Sequence, residues 1–281
     1  MNRRALVLGT AALVAVVGNG VAIFWRARPR HPRFAIFAQK KTKDALASLA
    51  AGRVSLVETE GVRGALVGLE RAPRRAGAPV VVHFPGNSDR VLDESKGQLE
   101  SLLGDGDAGY ITFAPSGFDA SEGVASYAAL VEDVVPVLAF ARARHPSSPL
   151  CLSGFSLGTL PALVARHLLV DGQEGEPAPT VLFAPFTVIE LGHAGFMGRV
   201  WNVETLDARI AAAQPGGPLA VVHGAKDASF PVDMGRALAE AAGRRAELTV
   251  VDDAAHLDLP AHPRARAVMS GVLAALDRSK S

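Results

Sequence analysis

The chain has 281 residues, 49% of them hydrophobic and 20% charged, which suits one α/β domain with a sizeable core and a short extension. Lys and Arg number 29 against 28 Asp and Glu, so no overall field would gather nucleic acid or another polyanion. The one cysteine, Cys151 in the apolar run Leu150-Cys151-Leu152, excludes an intrachain disulfide and leaves no N-terminal thiol for a lipid. From Ala5 to Trp25 no residue is charged, and as a helix at about 1.5 Å per residue that run reaches roughly the 30 Å of a bilayer core. It predicts a single-pass anchor over residues 1–27, with Trp25 meeting Arg26 at the interface. A cleavable signal peptide competes, with Arg3-Arg4 in front and Gly18 and Gly20 at the cleavage point; it would leave the protein secreted or periplasmic. Residues 28–50, which include Arg28, Arg30, Arg33, Lys40, Lys41 and Lys43, read as a basic solvated linker, and the membrane side of the domain beyond it stays open.

Residues 51–281 read as one domain of short β-rich runs separated by helix-length segments. Strands are expected at Val54–Thr59, Ala65–Leu69, Val80–Phe84, Tyr110–Phe113, Leu150–Leu152, Val181–Phe183, Leu219–Val222 and Leu248–Val251. Several are unbroken apolar runs, as strands buried on both faces are, and so predict a mostly parallel eight-stranded sheet flanked by helices. The first two follow each other directly, as an antiparallel hairpin does. Helices are expected near Ser95–Leu103, Tyr127–Arg144, Thr159–Val170, Val232–Ala242 and Pro260–Leu276.

Gly154-Phe155-Ser156-Leu157-Gly158 is a G-x-S-x-G pentapeptide, weak by itself. Its setting strengthens it, because a strand candidate ends just before it and a helix begins just after it. A serine on so sharp a turn is strained, and small residues two places to either side keep the turn from striking the strand and the helix. The turn would raise Ser156 Oγ above the sheet edge and aim the Leu157 N–H at a developing oxyanion. A serine hydroxyl needs a base to attack at neutral pH. Among eight histidines, His256 is the candidate, since it follows the last strand on a loop at the same sheet edge. His193 is the fallback. His83 and His223 end strands and read as structural; His145, His167 and His262 lie in or beside surface helices and read as solvated. The acid that orients the base should leave a strand end between serine and histidine, which Asp227 does after Leu219–Val222; Asp252 and Asp253 are the rivals. A second oxyanion donor is expected from the loop Pro85-Gly86-Asn87-Ser88, at the Asn87 N–H.

Taken together these residues resemble the α/β-hydrolase superfamily from about Val54 to the C-terminus, and within it the membrane-anchored BEM46-like and ABHD12/ABHD13/ABHD17-like serine hydrolases. Members of that branch usually carry His-Gly-Asn after the third strand, where this chain has Pro85-Gly86-Asn87. They tend to show Arg-Gly-Phe-Gly-x-Ser-x-Gly after the fourth, where Ser116-Gly117-Phe118-Asp119-Ala120-Ser121-Glu122-Gly123 lacks the arginine and the second glycine. The resemblance implies an arginine partner for Asp133 that this chain has lost. It also implies a short connection between Phe183 and Pro218, no large cap domain and a shallow, open site. The expected activity is hydrolysis of an ester or thioester, small or lipidic, through an acyl-enzyme on Ser156, Asp227 and His256, with no metal or organic cofactor. A peptidase or acyltransferase on the same triad, or an inactive hydrolase fold used for binding or scaffolding at a membrane, are the competing readings.

Overall fold

Val80–Phe84 has no residue that faces water, and a strand with no solvent side requires cover on both faces of its sheet. The computed structural model, which describes residues 33–36, 38–171, 177–192 and 203–278, supplies it. In chain order the strands are β1 (Arg33–Ala35), β2 (Val54–Gly61), β3 (Gly64–Arg71), β4 (Val80–Phe84), β5 (Gly109–Phe113), β6 (Leu150–Phe155), β7 (Thr180–Phe183), β8 (Val188–Gly192), β9 (Val203–Asp207), β10 (Leu219–Gly224) and β11 (Ala246–Val251). The helices are α1 (Lys43–Leu46), α2 (Val91–Leu103), α3 (Tyr127–Glu132), α4 (Val134–Arg144), α5 (Thr159–Asp171), α6 (Ala208–Ala213), α7 (Val232–Ala242) and α8 (Pro263–Arg278).

The main sheet has eight strands in the order β11-β10-β7-β6-β4-β5-β3-β2. Only β3 runs against its neighbours, pairing antiparallel with β2 and β5, while the other pairs are parallel. All eight expected strands are present, and the leading hairpin is β2–β3. On one face Val81, Tyr110, Cys151 and Val181 pack in one cluster with Leu92, Leu99 and Leu102 of α2 and Ala265 and Met269 of α8. Each buried Leu, Val or Met there contributes about 1.5–3 kcal/mol relative to exposure.

Three expectations are corrected, and a fourth, the lack of a large helical cap between Phe183 and Pro218, holds among the described residues. The single helix expected over Tyr127–Arg144 is two, α3 and α4, divided at Asp133. Pro136 has no N–H for the Glu132 carbonyl, and its ring crowds that carbonyl, so the helix is interrupted one turn upstream. Part of the basic stretch expected to be solvated is packed instead: Leu46 is buried in the core cluster, and Thr42 caps α1 by accepting the Ala45 N–H at 3.3 Å. The connection between Phe183 and Pro218 holds β8, β9 and the six-residue α6, and no helical cap among the described residues. His145 is not solvated; its Nε2 lies 2.8 Å from the buried Glu70 carboxylate, which Arg144 also meets at 3.0 Å.

Strands β1, β8 and β9 form a separate three-stranded sheet in the order β1-β8-β9, in which Arg33 stands opposite Glu190 in the parallel β1–β8 pair. Among the described residues no helix is long and apolar enough to cross a membrane. The run from Ala5 to Trp25 and His193 both lie outside the described residues.

Candidate active site

Strand β4 lies between β5 and β6, so the chain leaves it to one side and later returns on the other, opening a crevice at the carboxyl ends of β4 and β6. Phe84 is in register with Gly154, which brings the loop Pro85-Gly86-Asn87 beside the end of β6. There Ser156 has φ +52°, a left-handed conformation that costs a non-glycine residue about 1–3 kcal/mol. The surroundings hold it. Ser156 opens a tight helical turn, Ser156–Gly158, that leads into α5, and Thr159 Oγ1 donates to the Ser156 carbonyl at 2.7 Å. A Cβ on Gly154 would stand 2.4 Å from the Gly158 carbonyl oxygen, and one on Gly158 would stand 2.0 Å from that of Phe84. Both glycines are therefore demanded by close backbone approach, as the pentapeptide suggested.

Strand β10 ends at Gly224 and delivers Asp227, while β11 ends at Val251 and delivers His256. The Ser156 Oγ lies 3.0 Å from His256 Nε2, and His256 Nδ1 lies 2.6 Å from Asp227 Oδ2. A carboxylate can only accept, so Nδ1 carries the hydrogen and Nε2 keeps a lone pair for the serine proton. Asp227 Oδ1 accepts the backbone N–H groups of Ser229 and Phe230, both at 2.8 Å. Burial works to raise the Asp227 carboxyl, but hydrogen bonds from His223, His256 and the Phe230 N–H prevail and hold it well below the usual carboxylate range. The rings of Phe155 and Phe230 lie 5.1 and 5.2 Å from the imidazole. Ser156 is 8% exposed, so the hydroxyl is reached only through the crevice. These three side chains fit a Ser-Asp-His triad.

Asp252 and Asp253 are exposed, and Asp253 meets His262 at 3.2 Å instead of the base. Asn87 lines a cavity of about 80 Å³ together with Gly86, Ser156 and His256, and Leu157 follows the serine in the tight turn. His83 is buried, with Nδ1 3.2 Å from Ser153 Oγ. His167 is half-buried, with Nδ1 3.2 Å from the Pro215 carbonyl.

Two contacts were not foreseen. His223, read only as a strand end, is fully buried with Nε2 2.7 Å from the Phe230 carbonyl and 3.5 Å from Asp227 Oδ2. Its spacing four residues before the acid was the available signal. Asp133 is held by Ser116, whose N–H and Oγ donate to the carboxylate at 2.7 and 2.9 Å. Burial pushes the Asp133 carboxyl up, against the pull of the two Ser116 bonds.

No family model matches the chain. The human Protein ABHD12B is 28% identical over 189 residues, 61% of this chain and 52% of that protein, so the chain spans about half the length of this curated relative. Among solved structures, an esterase of Pyrococcus furiosus superposes with a TM-score of 0.63 at 16% identity, covering 82% of this chain and 94% of that one. A Coxiella burnetii α/β serine hydrolase homologue gives 0.57 at 17%, covering 79% and 97%. A Xanthomonas campestris serine hydrolase described as without lid gives 0.55 at 17%, covering 82% and 95%. By strand order, by the strained serine at the β6–α5 turn and by these likenesses, the chain has the α/β-hydrolase fold.

Proposed function

We propose that the protein is a serine hydrolase that cleaves an ester or thioester through an acyl-enzyme on Ser156. The observation that carries this reading is the unbroken relay from Ser156 Oγ to His256 Nε2 at 3.0 Å and from His256 Nδ1 to Asp227 Oδ2 at 2.6 Å. His256 Nε2 takes the serine proton as Oγ bonds to the carbonyl carbon, and the carbonyl oxygen becomes an oxyanion held by the Leu157 and Asn87 N–H groups. The tetrahedral intermediate collapses as His256 returns the proton to the departing alcohol or thiol. Water then attacks the acyl carbon, with His256 taking a proton from it and giving it back to Ser156 Oγ as the acid leaves. Asp227 stays ionised and steadies the imidazolium. The esterase and serine hydrolase structures that share this fold support the reading.

Fluorophosphonate labelling tests it together with p-nitrophenyl acetate hydrolysis. The full chain should label and turn over, and Ser156→Ala should do neither; a folded wild type inert in both assays overturns the proposal. For the Ala5–Trp25 run the reading is a single-pass anchor. Carbonate-washed membranes should retain the full chain and release a form lacking residues 1–27.

A further inference from the structure

The amino ends of β7, β10 and β11 frame a second cavity, of about 910 Å³, a size found among ligand sites, roughly 300–1,000 Å³. Leu219 of β10 stands opposite Thr180 of β7 on one side and Ala246 of β11 on the other, so this is the sheet edge away from the catalytic one. Strand β10 delivers Asp227 only after its six residues, roughly 20 Å further on. The packed sheet lies between the two sites.

The lining says what fits. Pro177 and Pro179 lead into β7, and Pro215 and Pro218 lead into β10. Proline has a fixed φ and no N–H, so this part of the wall is preformed and offers no amide donor. A peptide laid against it would leave its carbonyls unmet, whereas an aliphatic body asks for no partner. Val272, Ala275 and Leu276 of α8 supply the apolar side. Thr180, fully buried, adds a hydroxyl that meets no group of the protein, and an unmet buried hydroxyl calls for a partner from elsewhere.

Charge is gathered at one end. Arg244 and Arg245, both exposed, line the cavity just before β11. Arg245 Nη1 donates to the Gly216 carbonyl at 3.2 Å, and behind Gly216 lies a third cation. This is Arg166, buried, whose Nε donates to the Gly217 carbonyl at 2.8 Å and whose Nη1 donates to those of Ala212 and Gln214 at 3.4 and 3.2 Å. A Cβ on Gly216 would stand 2.6 Å from Arg166 Cζ, so the wall rests directly on the guanidinium. Burial, and after it the charge of Arg245, lower the Arg166 guanidinium from its ordinary value. Among the described residues no carboxylate pairs with any of the three arginines, and Glu247, the one acidic side chain of the lining, meets neither Arg244 nor Arg245. Uncompensated positive charge at the rim of an apolar cavity is complementary to an anion.

We propose that this cavity binds an amphipathic oxyanion, its apolar body against α8 and the prolines and its carboxylate or phosphate head on Arg244 and Arg245, at a site separate from Ser156. The inference concerns binding alone and does not rest on the serine-hydrolase reading.

Calorimetry on the full chain tests it, in the wild type and in Ser156→Ala, with decanoate, decyl phosphate, decanol and decyltrimethylammonium below their micelle-forming concentrations. No turnover is read, so an inactive protein leaves the test intact. At least one of the two anions should bind ten-fold or more tightly than decanol, the tighter naming the head group, and the cation should not bind. Affinity should be the same with and without the Ser156 hydroxyl. Arg244 has no hydrogen bond or ion pair among the described residues, so Arg244→Glu should leave the fold intact and weaken anion binding at least ten-fold. Ala275 is exposed on α8, and Ala275→Trp should fill the cavity and abolish binding. Glu247→Gln should tighten it. Thr180→Val should weaken binding about two- to ten-fold while raising the melting temperature of the free protein, since a buried hydroxyl without a partner is gone. Failure of both anions to bind, equal affinity for decanoate and decanol, or anion binding untouched in both Arg244→Glu and Ala275→Trp would overturn the proposal.

Discussion

His223 and His256 face the same oxygen of Asp227, Oδ2, at 3.5 and 2.6 Å. The closer bond of His223 is to the Phe230 carbonyl at 2.7 Å, which fixes its hydrogen on Nε2 because a carbonyl only accepts. Phe230 in turn donates its N–H to Asp227 Oδ1 at 2.8 Å. His223 therefore holds the turn from Asp227 to Phe230 in shape, and with it the carboxylate that orients the base. On the ring's other side a Cβ on Gly235 would come within 2.5 Å of Nδ1, so the pocket is cut to an imidazole.

Replacing His223 with Phe should lower kcat about ten-fold with little change in KM, a fraction of the 10²–10⁴ that acid–base groups contribute. It also removes one of the bonds that depress the Asp227 carboxyl, so that carboxyl should protonate at a higher pH in a titration followed by carboxyl NMR. His223→Gln, which can still donate to the carbonyl, should recover part of both effects. A role confined to packing would lower the melting temperature and leave that titration where it was.

Buried His83 makes a separate, stability-linked prediction. Burial pulls its imidazole down to about 3, against an ordinary value near 6.5. Below pH 6.5 the unfolded chain binds a proton at this site and the native chain does not, so stability falls on acidification and stops falling only near pH 3. At 1.36 kcal/mol per unit, the contribution lost between pH 6.5 and pH 5 is about 2 kcal/mol. Denaturant titrations should show that loss in the wild type, and His83→Gln should flatten the curve by the same amount. Parallel curves for the two proteins would show that the native state takes up the proton as readily as the unfolded one.

How much of this was legible in the sequence depends on where the information lay. Val80–Phe84 and its parallel neighbours announced themselves, because a buried strand leaves an unbroken apolar run. Ser156 was legible because its strain and its two glycines are local demands. His256 and Asp227 followed from the order of strand ends. Helix α2 was expected to begin at Ser95 and begins at Val91, since the group that caps its first turn is Asp119, 27 positions from Leu92. No local pattern records such a cap. Strands β8 and β9 were missed for the same reason: Val188–Gly192 and Val203–Asp207 are short, and β8 pairs with Arg33–Ala35, far off in the chain.

Ser116 meets the Asp133 carboxylate with both its backbone N–H and its hydroxyl. The carboxylate is buried and takes two bonds from one residue, at 2.7 and 2.9 Å. Ser116→Ala deletes the hydroxyl bond and leaves the N–H, and a hydrogen bond to a charged group is worth about 1.5–3 kcal/mol. For a domain of this size each kcal/mol is about 2–4 °C, so melting at pH 7 should fall by roughly 3–12 °C. Since burial already holds the Asp133 carboxyl above its ordinary value, the variant should raise it further, and its deficit should shrink as pH falls and the group protonates. A deficit that stays constant from pH 7 to pH 4 would mean that the lost stability comes from packing.

Two glycines give opposite expectations from one substitution. At Gly158 a Cβ would stand 2.0 Å from the Phe84 carbonyl oxygen and 2.5 Å from that of Pro85, both backbone atoms where β4 passes into the Gly86-Asn87 loop. Backbone cannot rotate aside as a side chain can, so Gly158→Ala should cost at least the ~1–3 kcal/mol typical of overpacking and should push the Gly86-Asn87 loop away from Ser156. Gly271 lies in the interior of α8 with nothing within 4 Å of its Cβ position. There alanine removes only the entropic weakness of glycine in a helix, and Gly271→Ala should stabilise by about 0.8–1.0 kcal/mol, a rise of roughly 2–4 °C in melting temperature. Turnover of p-nitrophenyl acetate should drop sharply in the first variant and hold steady in the second. An active, undestabilised Gly158→Ala protein would mean that the turn at Ser156 has more room than the approach of α5 to β4 allows.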